Sequence, residues 1–323
     1  MIPVPPAVQR IPWKLIALLS AITGFGLLVL YSAAGGSVTP WALQQGLRFI
    51  VFLLVALAIG RMPIRIFEDF SYLGYLGVAL LLLAVEALGF VGGGSQRWLN
   101  LGFMNLQPSE LMKVAIVLAL ARFYAQLPPG STRTFNALWP ALVMIGIPAA
   151  LVMLQPDLGT ALAICASAAI VMFVSGLPLW WFGSAALAGL AALPILFSML
   201  HDYQQKRVLI FLDPESDPLG AGYHISQSKI AIGSGGIFGK GFLNGSQSHL
   251  DYLPEGHTDF IYATMSEEWG LVGGLLLLLG FFFLLRWSTR VALNARTRFG
   301  QLTATGLTMT IFFYIAINLG MVM

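Results

Sequence analysis

Long apolar runs, each near the length needed to cross a bilayer, constrain this chain more than any other feature. A membrane-spanning helix needs about 20 predominantly apolar residues. Runs of that kind fall at 13–32, 44–61, 72–91, 106–125, 136–154, 158–176, 178–200, 260–286 and 299–323. The expectation is an all-α, polytopic membrane helical bundle of about nine spans. Composition agrees: 58% of the residues are hydrophobic and 10% are charged, against about a quarter charged in a soluble domain. Residues 1–323 read as a single integral membrane domain. The long connection 201–257, between the seventh and eighth spans, reads as a large extracytoplasmic loop.

Lysine and arginine set the orientation. Arg10 and Lys14, then Arg61 and Arg65, then Arg122 and Arg133, then Arg286, Arg290, Arg296 and Arg298 alternate onto one side. The opposite short loops carry little beyond Arg97. This predicts a cytoplasmic N-terminus and puts 201–257 outside, where Lys206, Arg207, Lys229 and Lys240 lie in a loop long enough to escape the rule. The net charge of +3 therefore reports topology, and nucleic acid is not an expected partner. The single cysteine, Cys165, lies inside an apolar run and reads as a small core residue. The opening MIPVPPAVQRIPWK has no small-residue cleavage site, so the first span reads as retained. The last apolar run reaches Met323 without a polar flank, and the expectation is that further chain follows. No internal repeat is evident, which weighs against an inverted-repeat transporter.

Charge inside a span is costly, so each case is a functional candidate. In LQPSELMKVAIVLALA, Glu110 and Lys113 are three apart on one helix face, close enough to pair, and Pro108 suits a first helical turn. An ion pair that fixes helix packing is an equal reading. Glu86 is placed to face headgroups. Arg48 reads either as a snorkelling anchor or as part of an anion site. Asp157, in QPDLGT, reads as an N-cap, with chemistry in an outer cavity as the alternative.

The densest signal is DYLPEGHTDFIYATMSEEWG, residues 251–270. Pro254 breaks structure, and a helix is expected to start near Thr258. Acids in a first turn suit the helix dipole. That accounts for Asp259 but not for Glu255, His257 and Asp259 crowded together, with Glu267 and Glu268 two turns deeper. Partial desolvation at such a mouth raises a carboxylate pKa and makes it a usable base.

Other chemistries fit poorly. GSGGIFGKG invites a phosphate-loop reading, but Ser234 and Gly241 stand where the pattern needs Gly and Ser or Thr. A weaker reading keeps its backbone amides and Lys240 as diphosphate contacts. His201, His224, His249 and His257 lack zinc-protease spacing, and no GxSxG occurs.

Four segments together resemble one family: GGSQRWLNLGFMNLQPSELMK (93–113), QPDLGT (155–160), the block 205–274 containing GFLNGSQSHLDYLPEGHTDFI, and INLGM (317–321). This is similar to the SEDS family of cell-wall polymerases, closer to its RodA branch, which serves elongation, than to its FtsW branch. The resemblance covers nearly the whole chain. It implies a peptidoglycan glycosyltransferase of ten helices in the bacterial cytoplasmic (inner) membrane. Such an enzyme polymerises lipid II at the outer face and works with a class B penicillin-binding protein. The family's essential acid falls on Asp259, and its paired acid and base fall on Glu110 and Lys113. One departure stands out: the family continues past NLGM into an outer loop and a tenth helix.

The chemistry so implied is attack by a sugar 4-hydroxyl on the anomeric carbon of a lipid-linked chain, with undecaprenyl diphosphate leaving. Asp259 is the expected general base. Lys113, Arg48, Arg97 and Lys229 are candidates to hold the leaving diphosphate, as is a divalent cation, Mg or Mn, held by the acids. Gln107, Asp157, Glu255 and His257 complete the expected substrate-binding set. The small-residue runs ALAICASAA and SAALAGLAAL allow either close helix packing or a groove for a polyprenyl tail. Two other classes compete: a lipid II flippase, which needs polar groups along the whole path, and a scaffold for a penicillin-binding protein, which would tolerate loss of all three acid–base residues.

Overall fold

The computed structural model describes residues 11–92, 95–100, 105–128, 130–155, 157–199, 205, 209, 221–249, 252–253 and 256–322. Each expected span has a helix. In chain order these begin with α1 (Trp13–Ala33), α2 (Trp41–Ile59), α3 (Ile64–Leu88) and α4 (Pro108–Gln126). They continue with α5 (Phe135–Leu154), α6 (Leu158–Val174) and α7 (Leu179–Met199). Two more helices, α8 (Ala221–Gly235) and the short α9 (Ser246–His249), precede α10 (Ile261–Leu293) and α11 (Arg298–Val322). Among the described residues, six helices are long and apolar enough to cross a membrane by length and composition. Large apolar side chains such as Phe52, Leu54 and Leu187 face outward, a surface that lipid tolerates and water does not. The chain is a multi-pass membrane protein.

Two compact units divide it. One draws on the described parts of Met1–Arg61, Leu193–Trp287 and Ile315–Met323, the other on those of Met62–Ala192 and Ser288–Tyr314. In the second unit α4 is the central helix. Met112, Ile116 and Leu120 recur every four residues along it and are fully buried, packed with Leu82, Val152, Ile164, Phe299 and Leu302. A buried charge on such a helix face must be paired, and Lys113 near the N-terminus of α4 meets that condition.

The structure departs from the sequence expectations in three places. First, α3 starts at Ile64 rather than near residue 72. Its first turns are polar and extend past the apolar run, held where Arg122 Nη1 donates to the Glu68 and Asp69 carbonyls at 2.8 and 2.6 Å. Second, a small antiparallel sheet lies between α3 and α4. It comprises β1 (Phe90–Gly92), β2 (Ser95–Asn100) and β3 (Asn105–Leu106), with Phe90 opposite Trp98 and Leu99 opposite Leu106. Third, the connection 201–257 contains α8. Its buried residues are Gly222, Ser228, Ala231 and Gly235, all small, and the last three lie on one face, too weak a stripe for a hydropathy reading. Ser228 Oγ sits 2.8 Å from the Val322 carbonyl.

In the first unit α10 is broken at Gly270, whose backbone (φ 63°, ψ −161°) is open essentially to glycine alone. A break inside a membrane helix strands amides and carbonyls unless something re-satisfies them. Here residues 236–241 do so on both sides. Lys240 and Gly241 amides donate to the Glu267 and Glu268 carbonyls at 3.0 Å each. Leu271 and Val272 amides donate to the Gly236 and Ile237 carbonyls at 2.9 and 3.1 Å. The approach is so close that a Cβ on Gly239 would collide with the Glu268 carbonyl oxygen.

Candidate active site

Among the described residues of the second unit, the candidate site residues fall into two polar groups. In the first, Pro108 opens α4 and the Gln107 carbonyl accepts the Glu110 amide at 3.1 Å, so Gln107 works here through its backbone. One turn in, Lys113 Nζ donates to Glu110 Oε1 at 2.7 Å. The Lys113 side chain is 3% exposed and that of Glu110 is 45% exposed. The pair is therefore a buried ammonium tied to a carboxylate that solvent can reach. Tyr314, on α11, completes it: its hydroxyl donates to Glu110 Oε2, and Lys113 Nζ stands 4.1 Å from its ring centre. The three-residue spacing legible in sequence is thus a real pair. Tyr314 was missed, because 204 residues separate it from Glu110.

In the second group, Asp157 caps α6: its Oδ1 accepts the Thr160 amide at 3.1 Å and its Oδ2 accepts the Thr160 hydroxyl at 2.9 Å. The same carboxylate lies 3.5 Å from Arg97 Nη1. Arg97, carried on β2, also donates through Nε to the Gln155 carbonyl at 3.2 Å. Gln155 in turn donates to the Leu82 carbonyl at 3.2 Å and is buried. The sheet therefore has a purpose: it delivers Arg97 to the start of α6. Asp157 is an N-cap, as one reading of its sequence context has it, and an ion-pair partner of Arg97 as well.

In the first unit Asp259 lies in the turn 256–260, before α10 rather than inside its first turn. The expected helix start near Thr258 moves to Ile261, because the Thr258 and Phe260 carbonyls serve as the first acceptors, for Ile261 at 3.4 Å and for Ala263 at 2.9 Å. The turn is clamped on both sides. The Gly256 carbonyl accepts the Thr264 hydroxyl at 3.1 Å, and Phe260 is buried. His257 stacks on Trp41 of α2, ring centres 3.9 Å apart and planes within 10°. Asp259 itself is exposed, and among the described residues it has no hydrogen-bond or ion-pair partner. The desolvation expected from sequence is thus not supplied by neighbouring protein atoms. Arg48 lies seven residues after Trp41 on α2, hence on nearly the same face two turns along. Arg48 and Lys229, on α8, are both exposed. Glu255 lies outside the described residues.

Glu267 and Glu268 do not belong with Asp259. Both are buried. Glu267 accepts from Lys240 Nζ at 2.5 Å, Ser246 Oγ at 3.0 Å and the Gln247 amide at 3.0 Å. Glu268 accepts from Ser32 Oγ. Their carboxylates anchor the interior. The glycine-rich bend is committed too: the amides of Lys240 and Gly241 go to the broken helix and the Lys240 ammonium goes to Glu267, so these groups are not poised for a diphosphate. Among the described residues, no three His, Cys, Asp or Glu side chains are grouped to hold one metal ion.

A family model for FtsW, RodA and SpoVE, described as cell cycle protein, matches residues 12–323. The chain belongs to this FtsW/RodA/SpoVE family. Among relatives of this family member, the peptidoglycan glycosyltransferase MrdB of Escherichia coli K12 is 44% identical over 311 residues, covering 95% of this chain and 83% of MrdB. The peptidoglycan glycosyltransferase RodA of Treponema pallidum is 29% identical over 394 residues, covering 98% and 90%. The crystal structure of Thermus thermophilus RodA matches with a TM-score of 0.70 at 28% identity, covering 98% of this chain and 86% of that one. A chain of a peptidoglycan synthase complex, solved in a study of how polymerization and crosslinking are coordinated, matches at 0.79 and 31% identity, covering 97% and 87%.

Proposed function

We propose that this family member is a peptidoglycan glycosyltransferase that polymerises lipid II. Its family, its 44% identity to MrdB and its likeness to a synthase-complex chain support that activity. The observation that carries the chemistry is Asp259, an exposed carboxylate without a partner among the described residues, in a turn clamped by Thr264 and Phe260. Such a group is fixed in place and free to accept a proton.

A sugar hydroxyl is a weak nucleophile at neutral pH, and a positioned base contributes about 10²–10⁴-fold. Asp259 takes the proton of the acceptor's 4-hydroxyl as its oxygen attacks the anomeric carbon of the lipid-linked donor. Undecaprenyl diphosphate leaves, and a single displacement inverts the anomeric centre. Cations stabilise charge that develops on the leaving group. Lys113, with Glu110 orienting it, and Arg97 are assigned that task, and Arg48 and Lys229 are exposed cations available to the lipid diphosphate. A divalent cation is a further candidate for it. The site works at the outer face of the bacterial cytoplasmic membrane, with the N-terminus inside and 201–257 outside. A class B penicillin-binding protein crosslinks the product.

The test is a gel assay of labelled lipid II with the purified protein and its partner. Wild type forms glycan, while Asp259→Asn expresses, binds its partner and forms none. Normal glycan from Asp259→Asn removes the base assignment, and normal glycan after loss of Asp259, Glu110 and Lys113 together supports the scaffold.

A further inference from the structure

Gly306, Thr310 and Tyr314 recur at intervals of four and line one face of α11. The first seats the helix: a Cβ on Gly306 would stand 2.6 Å from Val117 Cγ1 and 2.7 Å from Val171 Cγ2. One turn on, Thr310 Oγ1 is 3.0 Å from Ser167 Oγ. One turn further, Tyr314 reaches Glu110 and Lys113. The face thus registers α11 against α4 and α6 and delivers the tyrosine to the pair.

The contacts divide cleanly. Glu110 gives Oε1 to Lys113 and Oε2 to Tyr314, so both carboxylate oxygens are engaged and the side chain has one orientation. Lys113, nearly fully buried, has the Tyr314 ring on one side, where the negative face of an aromatic ring replaces lost hydration. We propose that Tyr314 is a positioning residue for Glu110 and Lys113. The hydroxyl fixes the carboxylate and the ring holds the ammonium. The inference rests on the glycosyltransferase assignment only for its effect on rate.

Two variants separate the two contacts. Tyr314→Phe keeps the ring and removes the hydroxyl, and Tyr314→Leu removes both. In the lipid II assay with partner, Tyr314→Phe melts with wild type. It loses about tenfold in kcat, because a misplaced catalytic group costs rate before binding, and keeps KM within about twofold. In a Glu110→Gln background, Tyr314→Phe adds less than about twofold, since the hydroxyl acts through Glu110. Wild-type kcat in Tyr314→Phe, or an equal loss in both backgrounds, overturns the proposal.

A readout independent of activity uses a soluble amine reagent on the detergent-purified protein, with labelling read by mass spectrometry. Lys113 is protected in wild type and Tyr314→Phe, and labelled at least about fivefold faster in Tyr314→Leu, where the ring no longer covers it. Unchanged protection in Tyr314→Leu overturns the placement even in a preparation that makes no glycan. Absence of glycan from wild type with the labelling pattern intact points instead at the functional assignment.

Discussion

Lys240 Nζ lies 2.5 Å from Glu267 Oε1, and the glutamate is completely buried. The same carboxylate receives Ser246 and Gln247, and the Gln247 carbonyl then accepts the Tyr252 and Leu253 amides at 3.1 and 3.2 Å. A chain of hydrogen bonds therefore runs from the interior of α10 towards the turn that carries Asp259.

Loss of Glu267 follows from this. Glu267→Ala leaves the partly exposed Lys240 ammonium and the Ser246 and Gln247 donors unmatched, and costs about 1–3 kcal/mol. The paired variant Glu267→Met, Lys240→Met costs less than Glu267→Ala, because no charge is left stranded. Unfolding in a detergent–denaturant titration measures both. Equal cost for the single and paired variants contradicts the argument.

Gly270→Ala is expected to destabilise by at least the strain of its backbone region, about 1–3 kcal/mol. Its Cβ also meets the Gly239 amide and the Ile237 carbonyl oxygen, so the bend 236–241 must move. The measurement is protease susceptibility of that bend. Wild-type resistance in the variant contradicts the splice.

Asp157 separates its two tasks by chemistry. Asp157→Asn keeps an oxygen for the Thr160 amide and loses the charge facing Arg97. Asp157→Ala loses both and costs about 0.5–2 kcal/mol in capping. If Arg97 contributes to catalysis through this pair, Asp157→Asn retains stability and loses polymerisation. If capping is the whole role, Asp157→Asn behaves as wild type in both melting and lipid II turnover.

Trp41→Ala removes the platform beneath His257 while leaving α2 intact. Displacement of the neighbouring Asp259 turn is expected to lower lipid II turnover about tenfold or more, with little change in melting. Trp41→Phe, which keeps a stacking face, restores most of it. A Trp41→Ala protein with full turnover shows that the stack does not position the turn.

Much of this was legible because a bilayer demands so much of a sequence. Nine apolar runs gave nine helices, and the Glu110–Lys113 spacing and the Asp157 cap are local patterns that need no tertiary knowledge. The misses share a cause. Tyr314 and Gly306 act across long sequence separations, through an i, i+4 face of small and aromatic residues that looks like ordinary packing. The α8 helix buries small residues, so its stripe carries little hydropathy. Glu267 and Asp259 were grouped by proximity in sequence, but one points into the protein and the other out of it. The rejected phosphate-loop motif has its glycines for a different reason: two backbones pass where no side chain fits.

The splice at Gly270 also has a direction in time. Residues 236–241 leave the ribosome before Gly270 does, so the carbonyls of Gly236 and Ile237 already exist when Leu271 and Val272 arrive. The second half of α10 can therefore meet its partners during synthesis rather than wait in lipid with bare amides. The order in which the two pieces are encoded suits a helix that cannot be finished by its own hydrogen bonds.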